Sequence, residues 1–255
     1  MLGIDNGKGG SKEELINLGI WSEKDIDCII DAAGRFDTPG ERINLISEKF
    51  LNVPYKQSTL MGSIEEREVF VINLDGMDCF TFIDYVEAMR LSGSFGVFKE
   101  NLRRIRYQSG EVDYRKRNHF FTDWAEFNRW HVLDITGEIG GNKTKKIIKM
   151  LNEKEDGTCL LQGIMPRKRE IAYIPVCEIN VSVVDAVMTG DYVGIYSELP
   201  GLDVSHVGII VKKGKTFFRH ASSHEQYRKV IDQPLDEYIE KKAGLVLLRP
   251  IVPLS

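Results

Sequence analysis

The last third of the chain changes to a β-rich character, and this change limits the folds open to it. After residue 180, three short runs are rich in β-branched and aromatic residues: DYVGIYS, SHVGIIVKK and TFFRHASS. The turn-like stretch Lys212-Lys213-Gly214-Lys215 separates the last two runs and is typical of a hairpin. A helix predicted near 234–243 precedes a final strand, GLVLLRP. These patterns predict an antiparallel sheet.

The preceding part of the chain is predicted to be mainly helical. Ser11 precedes one helical pattern, and Thr38-Pro39-Gly40-Glu41 is a capping box with proline at the first helical position. Further helices are predicted from Cys79, over roughly 95–107, and from Thr122. Helices followed by antiparallel strands predict an α+β fold, with N-terminal helices packed on a C-terminal sheet.

One domain over 1–255 is the predicted organisation, because the chain shows no repeat and no linker. Within it we expect an N-terminal helical extension at about 1–50. The segment at about 137–170 is rich in glycine and lysine and is predicted to be a surface insertion, with one helix near 143–152.

Charge argues against a nucleic-acid partner. The formal net charge is −4, with 28% of residues charged and both signs mixed. One cluster of basic residues is balanced by nearby acids, so a solvated face is favoured over a phosphate-binding patch. The cluster comprises Arg103, Arg104, Arg106, Arg115, Lys116 and Arg117.

No apolar run approaches 18 residues, so no membrane span is predicted. The start, MLGIDNGKGGSKEE, has no apolar stretch of the kind found in an export signal. These features leave the compartment open. A bacterial cell-envelope, periplasmic location is the expectation if a leader has been removed.

Cys79 opens a predicted helix directly after Asp78, which is suited to be its N-cap. A helix N-terminus presents free N–H groups and partial positive charge, which favour a thiolate. The sequence therefore makes Cys79 a candidate nucleophile, although a buried structural cysteine fits the same pattern. Since the cysteines lack short paired spacing, Cys28, Cys159 and Cys177 are interpreted as structural.

Two histidines lie 14 residues apart in the predicted hairpin, His206 in VSHVGIIV and His220 in FFRHASS. Adjacent antiparallel strands place such residues side by side on one face. A thiolate needs a base, and the base needs a third group to fix its tautomer. Each histidine alone fits a packed residue equally well. A metal site with His224 is disfavoured, because ligands four apart on a strand are too distant.

The segments DCFTF, SHVGIIV and RHAS, in this order, resemble the NlpC/P60 superfamily of papain-like cysteine hydrolases. The fuller similarity is to its DUF1460, or N-acetylmuramoyl-L-alanine amidase-like, branch, over about 45–250. The matching segments are at 54–55, 69–74, 78–82, 113–124 and 201–209.

The resemblance implies a papain-like fold and roles for four residues. Cys79 would be the nucleophile, His206 the general base and His220 its orienting residue. Tyr55 would stabilise the oxyanion together with the Cys79 N–H, although a core-edge aromatic fits its sequence as well.

Three further residues are candidates for substrate binding: Asp78, His119 and Trp124. For His119 and Trp124 in RNHFFTDW, a packed loop before a helix is favoured over a wall of the substrate groove. Asp78 in related γ-glutamyl endopeptidases belongs to an Asp-Cys-Ser-Gly motif that binds a free amine. Here Phe80 and Thr81 replace Ser-Gly, which leaves Asp78 the alternative of a helix cap.

This departure favours a substrate whose L-Ala nitrogen is acylated. The expected activity is a cysteine amidase on peptidoglycan fragments, most readily between N-acetylmuramic acid and L-Ala. No metal or organic cofactor is required by that chemistry. A γ-D-glutamyl-diamino acid endopeptidase is the alternative enzyme, and a catalytically inactive wall-binding module is the alternative from another class.

Overall fold

A computed structural model describes residues 14–252, in which helices dominate the first half and strands the second. The helices are α1 Glu23–Gly34, α2 Pro39–Lys49, α3 Cys79–Arg90, α4 Phe95–Arg106, α5 Phe121–Phe127, α6 Thr136–Gly140, α7 Val181–Ala186 and α8 Leu235–Ile239. The strands are β1 Glu14–Asn17, β2 Phe70–Asn73, β3 Val132–Asp134, β4 Lys145–Leu151, β5 Arg167–Pro175, β6 Tyr192–Tyr196, β7 Val204–Lys213, β8 Lys215–Ala221, β9 Val230–Pro234 and β10 Gly244–Pro250.

The C-terminal strands form the antiparallel sheet that the sequence predicts. Its order is β4-β5-β10-β6-β7-β8-β9, with β3 also paired to β10. The predicted hairpin joins β7 to β8, with Lys213 opposite Lys215. Gly214 between them has φ +70°, a left-handed conformation that glycine adopts without steric cost. This hairpin carries both candidate histidines.

Both faces of the sheet are covered, because alternate side chains of its strands point into two separate hydrophobic clusters. Val207 and Ile209 of β7 belong to the larger cluster, which includes the buried faces of α1 to α4. Ile210 and its neighbour Phe218 belong to the smaller cluster, beneath α7 and α8. The sheet is therefore the middle layer of a mixed α/β structure. None of the helices within residues 14–252 is long and apolar enough to span a membrane.

α3 is buried almost all round, not on one face as its apolar spacing predicts. Every residue from Thr81 to Arg90 is buried, including Asp84 and Glu87. Arg106 of α4 donates to Asp84 at 2.8 Å, and Arg90 pairs with Glu87. Buried charges are tolerated when they are paired in this way. α3 can therefore run through the centre of the molecule and hold its first turn firmly.

Two predicted helices are strands in the structure. The pattern from Ser11 was expected to be helical, but its described part, Glu14–Asn17, is β1 and pairs in parallel with β2. The helix expected near 143–152 is β4, which pairs with β5 along its length. The run KKIIKML is too short for its apolar residues to distinguish a strand from a helix, and pairing with β5 decides the outcome. The expected insertion thus extends the main sheet.

Two members of the basic cluster, Arg106 and Arg117, depart from the solvated face that its composition predicts. Arg106 is 2% exposed and is held by Asp84 and the Val71 carbonyl. Arg117 pairs with the buried Glu68. Arg106 and Arg117 are drawn away from the surface because each pairs with a buried acid. A count of charges along the sequence does not reveal such partners.

Candidate active site

Asp78 is the N-cap of α3, as predicted. Its Oδ1 accepts hydrogen bonds from the Phe80 N–H, the Thr81 N–H and the Thr81 hydroxyl, at 2.8–3.0 Å. The Thr81 hydroxyl oxygen in turn accepts from the Asp78 N–H at 3.0 Å. This reciprocal capping box fixes the turn in which Cys79 is the first helical residue.

The Cys79 sulfur lies against β7. It accepts a hydrogen bond from the backbone N–H of Val207, the residue next to His206. The pairing of β7 with β8 runs from the turn to Ile209 opposite Arg219 and stops there. The sulfur therefore lies near the point where the two strands separate. Each histidine is within three residues of that point along its own strand.

The thiol is held in its protonated form. Burial raises the pKa of Cys79 to about 12, and the neighbouring Asp78 carboxylate acts in the same direction. The N–H groups of Val207, Cys79 and Phe80 oppose this shift but do not overcome it. The residue as a whole is only half-buried, but its sulfur is enclosed. Burial of the sulfur is therefore the largest influence on the pKa. The N–H groups at the start of the helix lower this pKa, as predicted, but desolvation outweighs them and the net shift is upward.

The two histidines lie side by side, as the hairpin predicts. His206 Nε2 is 2.8 Å from His220 Nδ1, and His220 Nε2 is 3.2 Å from Gln233 Oε1 on β9. Because a carbonyl oxygen only accepts, His220 Nε2 carries a proton and its Nδ1 is an acceptor. His206 Nε2 then donates, which leaves the lone pair of His206 Nδ1 free. These two hydrogen bonds thus fix the tautomer of His206.

Both imidazoles are neutral near pH 7. Burial lowers the pKa of His206 to about 3, with smaller contributions from His220 and Lys242. Burial likewise lowers the pKa of His220 to about 4, although Gln233 and Asp232 oppose it. An uncharged imidazole with a free Nδ1 is the form needed to accept a proton.

The histidine rings and the cysteine helix approach the sheet from opposite faces. The His206 and His220 rings contact Phe218 and Tyr238, on the α8 side. α3 packs on the other face. Within residues 14–252 no hydrogen bond joins the Cys79 sulfur to His206. Cys79 is nevertheless near enough to Tyr238, on the histidine side, to add to the effect of burial in raising the pKa of that phenol.

Two tyrosines flank the sulfur. Tyr55 is half-buried, its backbone pairs with Met77 just before α3, and the Arg228 guanidinium lies 4.9 Å from its ring centroid. Burial raises the pKa of Tyr55, and the nearby Cys79 and Asp78 add to this. Burial and Cys79 also raise the pKa of Tyr238 on α8. Tyr55 therefore lies near Cys79, and its contact with an oxyanion stays a prediction.

Sequence reasoning missed Gln233 and Tyr238. Tyr238 is 4.9 Å from His220 and 6.1 Å from His206 between ring centroids. Their positions depend on how β9 and α8 fold back over β8, which no local pattern signals. The only available indication was that the helix predicted near 234–243 follows His220 closely.

Trp124 does not line a substrate groove, the role for which it was a candidate. It is fully buried between Phe121 and Tyr192, and its indole N–H donates to Asp84 at 3.0 Å. The structure therefore corrects its role to core packing and support of α3.

His119 lies apart from the two histidines of the hairpin. Its Nε2 donates to the Tyr114 carbonyl at 2.8 Å, and burial lowers its pKa to about 4. It lines a separate cavity of about 250 Å³, which also contains Arg115, Arg117 and Arg167.

The remaining cysteines make no disulfide bond. Cys28 and Cys177 are exposed, and Cys159 is half-buried. No group of three or more histidine, cysteine, aspartate or glutamate side chains is arranged to hold a metal ion in the described part of the chain.

Solved structures share this architecture. A DUF1460-family protein from Legionella pneumophila is 24% identical, with a TM-score of 0.77, and the match covers 90% of this chain and 94% of that one. This likeness shows the fold.

Two Bacteroides proteins are somewhat closer in sequence. A Bacteroides uniformis protein named an N-acetylmuramoyl-L-alanine amidase is 27% identical, with a TM-score of 0.73, over 85% of this chain and 100% of that one. A Bacteroides fragilis protein, named a proposed xylanase, is 28% identical, with a TM-score of 0.63, over 80% and 98%.

Among curated proteins, none matches the chain significantly. One family does match, and it does so over residues 45–245, which include the capped first turn of α3 and the whole histidine hairpin. On this match the chain belongs to the AmiA-like family, which is described as N-acetylmuramoyl-L-alanine amidase-like.

Proposed function

We propose that the protein is a cysteine amidase that hydrolyses the bond between the lactoyl group of N-acetylmuramic acid and L-Ala in peptidoglycan fragments. The observation that carries the proposal is the contact of the Cys79 sulfur with the Val207 N–H, next to His206 and at the opening of the hairpin. The family description and the name of the Bacteroides uniformis relative support the bond chosen. A papain-like fold and membership of the NlpC/P60 superfamily are part of the same proposal.

The reaction starts from neutral partners. His206 Nδ1 takes the proton of the Cys79 thiol as the sulfur attacks the carbonyl carbon, so that a C–S bond forms. Catalytic hydrogen bonds commonly shorten only when substrate is bound, which accounts for the absence of a direct contact in the free protein. The N–H of Cys79 and the Tyr55 hydroxyl stabilise the oxyanion.

The proton then passes from His206 Nδ1 to the amide nitrogen, the C–N bond breaks, and the peptide leaves with a free L-Ala amine. Water attacks the remaining thioester while His206 accepts its proton. That proton returns to the sulfur as the carboxylic acid is released. His220 and Gln233 hold the His206 tautomer throughout, and no metal or organic cofactor enters the balance.

The capping contacts of Asp78 favour this bond over the γ-D-glutamyl-diamino acid bond. An endopeptidase of that kind needs Asp78 to bind a free L-Ala amine. Here one carboxylate oxygen already accepts three hydrogen bonds from Phe80 and Thr81. An acylated nitrogen makes no such demand on the carboxylate.

Two other functions are less well supported. A xylanase needs a pair of carboxyl groups about the scissile bond, whereas the acid next to this cysteine, Asp78, serves α3 as its cap. An inactive wall-binding module would be expected to lack the nucleophile or the base, and Cys79 and His206 are both present.

Mass spectrometry of defined muropeptides tests the proposal. The wild-type protein is expected to release peptides that begin with a free L-Ala, and Cys79→Ser to release none. Cys28→Ser is the matched control, since Cys28 is exposed on α1, and it should behave as wild type. Products cleaved after D-Glu would show that the protein is the γ-D-glutamyl-diamino acid endopeptidase and not the amidase.

A further inference from the structure

A cavity of about 470 Å³ opens beside the histidine pair. It lies between the loop at 222–227 and α8 with the residues that follow it. Its lining includes the aromatic side chains of His206, His220 and Tyr238, together with the charged residues Glu237, Lys241 and Lys242. This size is in the range of sites for small ligands.

The position of the cavity determines which part of a substrate it can hold, and this step rests on the proposed amidase function. His206 must give its proton to the departing nitrogen, so the leaving group lies on the imidazole side of the reacting carbon. The cavity is on that side, bounded by His206 itself. Tyr55 and the first turn of α3 are not among its lining residues.

We propose that this cavity binds the peptidyl leaving group and that Lys242 pairs with a carboxylate of that peptide. The Lys242 side chain is exposed, and its ammonium lies 5.3 Å from the Tyr238 ring centroid. It is not in any ion pair within residues 14–252. Its charge is near enough to lower the pKa of both histidines.

The other charges fit the same occupant. Glu237 and Glu240 line the cavity beside Lys241 and Lys242, so that both signs are present. A peptide that contains D-Glu and a diamino acid carries both signs as well. Complementary charge of this kind gives specificity more than affinity.

The experiment compares two substrates that differ only in the leaving group: N-acetylmuramoyl-L-Ala-D-Glu, and the same compound with both D-Glu carboxylates converted to carboxamides. Hydrolysis is measured for wild type, Lys242→Gln and Lys242→Arg. Lys168→Gln is the control, since Lys168 is exposed on β5, away from the cavity.

For wild type, kcat/KM is expected to be about fivefold or more higher for the acid substrate than for the diamide. The difference should come from a lower KM for the acid substrate. Lys242→Gln should lose that preference, so that its ratio of kcat/KM for the acid to kcat/KM for the diamide falls to about one. Lys242→Arg and Lys168→Gln should keep the preference. Because the readout is a ratio within each variant, a general loss of folded protein does not imitate it.

Two results would overturn the proposal while the amidase function stands: equal hydrolysis of both substrates by wild type, or a preference that survives in Lys242→Gln. If wild type cleaves neither substrate at the lactoyl–alanine bond, the proposed function fails first and the cavity loses its assigned occupant with it.

Discussion

The His206–His220–Gln233 relay is the part of the site in which single atoms matter most. Each hydrogen bond in it fixes the protonation of the next nitrogen, so that Gln233 Oε1 determines, through His220, that His206 Nδ1 is unprotonated. Without the Gln233 acceptor, His206 can adopt the other tautomer, in which Nδ1 carries the proton.

Replacement of Gln233 by leucine tests this relay. Gln233→Leu is expected to lower kcat roughly 10- to 100-fold with little change in KM, because substrate contacts remain while the base loses its fixed tautomer. Gln162→Leu, at an exposed position in the β4–β5 connection, is the control. Unchanged kcat in Gln233→Leu would show that His220 needs no such acceptor.

The lowered pKa values of the histidines predict an unusual pH profile. In the proposed mechanism His206 must be neutral to accept a proton, and burial keeps it neutral well below the ordinary pKa of 6.5. The acid limb of kcat/KM in the free protein should therefore lie below about pH 5. A limb near pH 6.5, measured with stability checked at each pH, would contradict the burial seen here.

Only part of this site could be predicted from sequence. The cap, the cysteine and the helix start are neighbours in the chain, and the two histidines follow from one hairpin. Gln233, Tyr238 and Lys242 reach the site because β9 and α8 fold back over β8, and this is a long-range arrangement without a local pattern. The enclosure of the Cys79 thiol likewise depends on distant residues.

At the scale of the element, α3 is the scaffold of the site. Its apolar residues predicted a helix correctly, but not its nearly complete burial, because the partners of Asp84 and Glu87 come from other parts of the chain as well as from α3 itself. Arg106 neutralises Asp84, to which Trp124 also donates. These contacts hold α3 in place just after the turn that carries Cys79.

Removal of the Arg106 guanidinium should destabilise the folded protein. Arg106→Leu is expected to lower the free energy of unfolding by about 3–5 kcal/mol, because Asp84 would remain buried without its cation. Arg104→Leu, at an exposed position on the same helix, should cost less than about 0.5 kcal/mol. Urea unfolding of both variants measures the difference, and equal stabilities would refute the structural role of the pair.

At the scale of the whole molecule, several buried histidines couple stability to pH. His119, His206 and His220 all have a lowered pKa because of burial. In the unfolded chain the same groups titrate near 6.5. Below that pH the unfolded state binds more protons than the folded state, so stability is lost as the pH falls.

The expected loss can be stated as a measurable slope. Between pH 7 and pH 5, each buried histidine is expected to lower the free energy of unfolding by up to about 2 kcal/mol. His119→Gln, which is outside the proposed catalytic relay, should show a shallower dependence than wild type. Stability that does not change over this range would mean that the histidines are protonated in the folded protein.

The fold of the whole molecule was predictable in its order of helices and strands, since periodicity is a local property. The failures were short segments such as β1 and β4, whose strand pairing is decided by partners elsewhere. Lys149 illustrates this: from β4, its ammonium reaches the carbonyls of Ser197, Leu199 and Leu202 in the loop before β7. The expected insertion thereby supports the strand of His206.

The most direct test of the central claim is the mass of the Cys79 peptide after a rapid quench of the protein with N-acetylmuramoyl-L-Ala-D-Glu. The account predicts a transient adduct of one N-acetylmuramoyl group on Cys79, matched by release of free L-Ala-D-Glu. Turnover of this substrate by Cys79→Ser at the wild-type rate, or an adduct that contains the glutamyl unit, would contradict it.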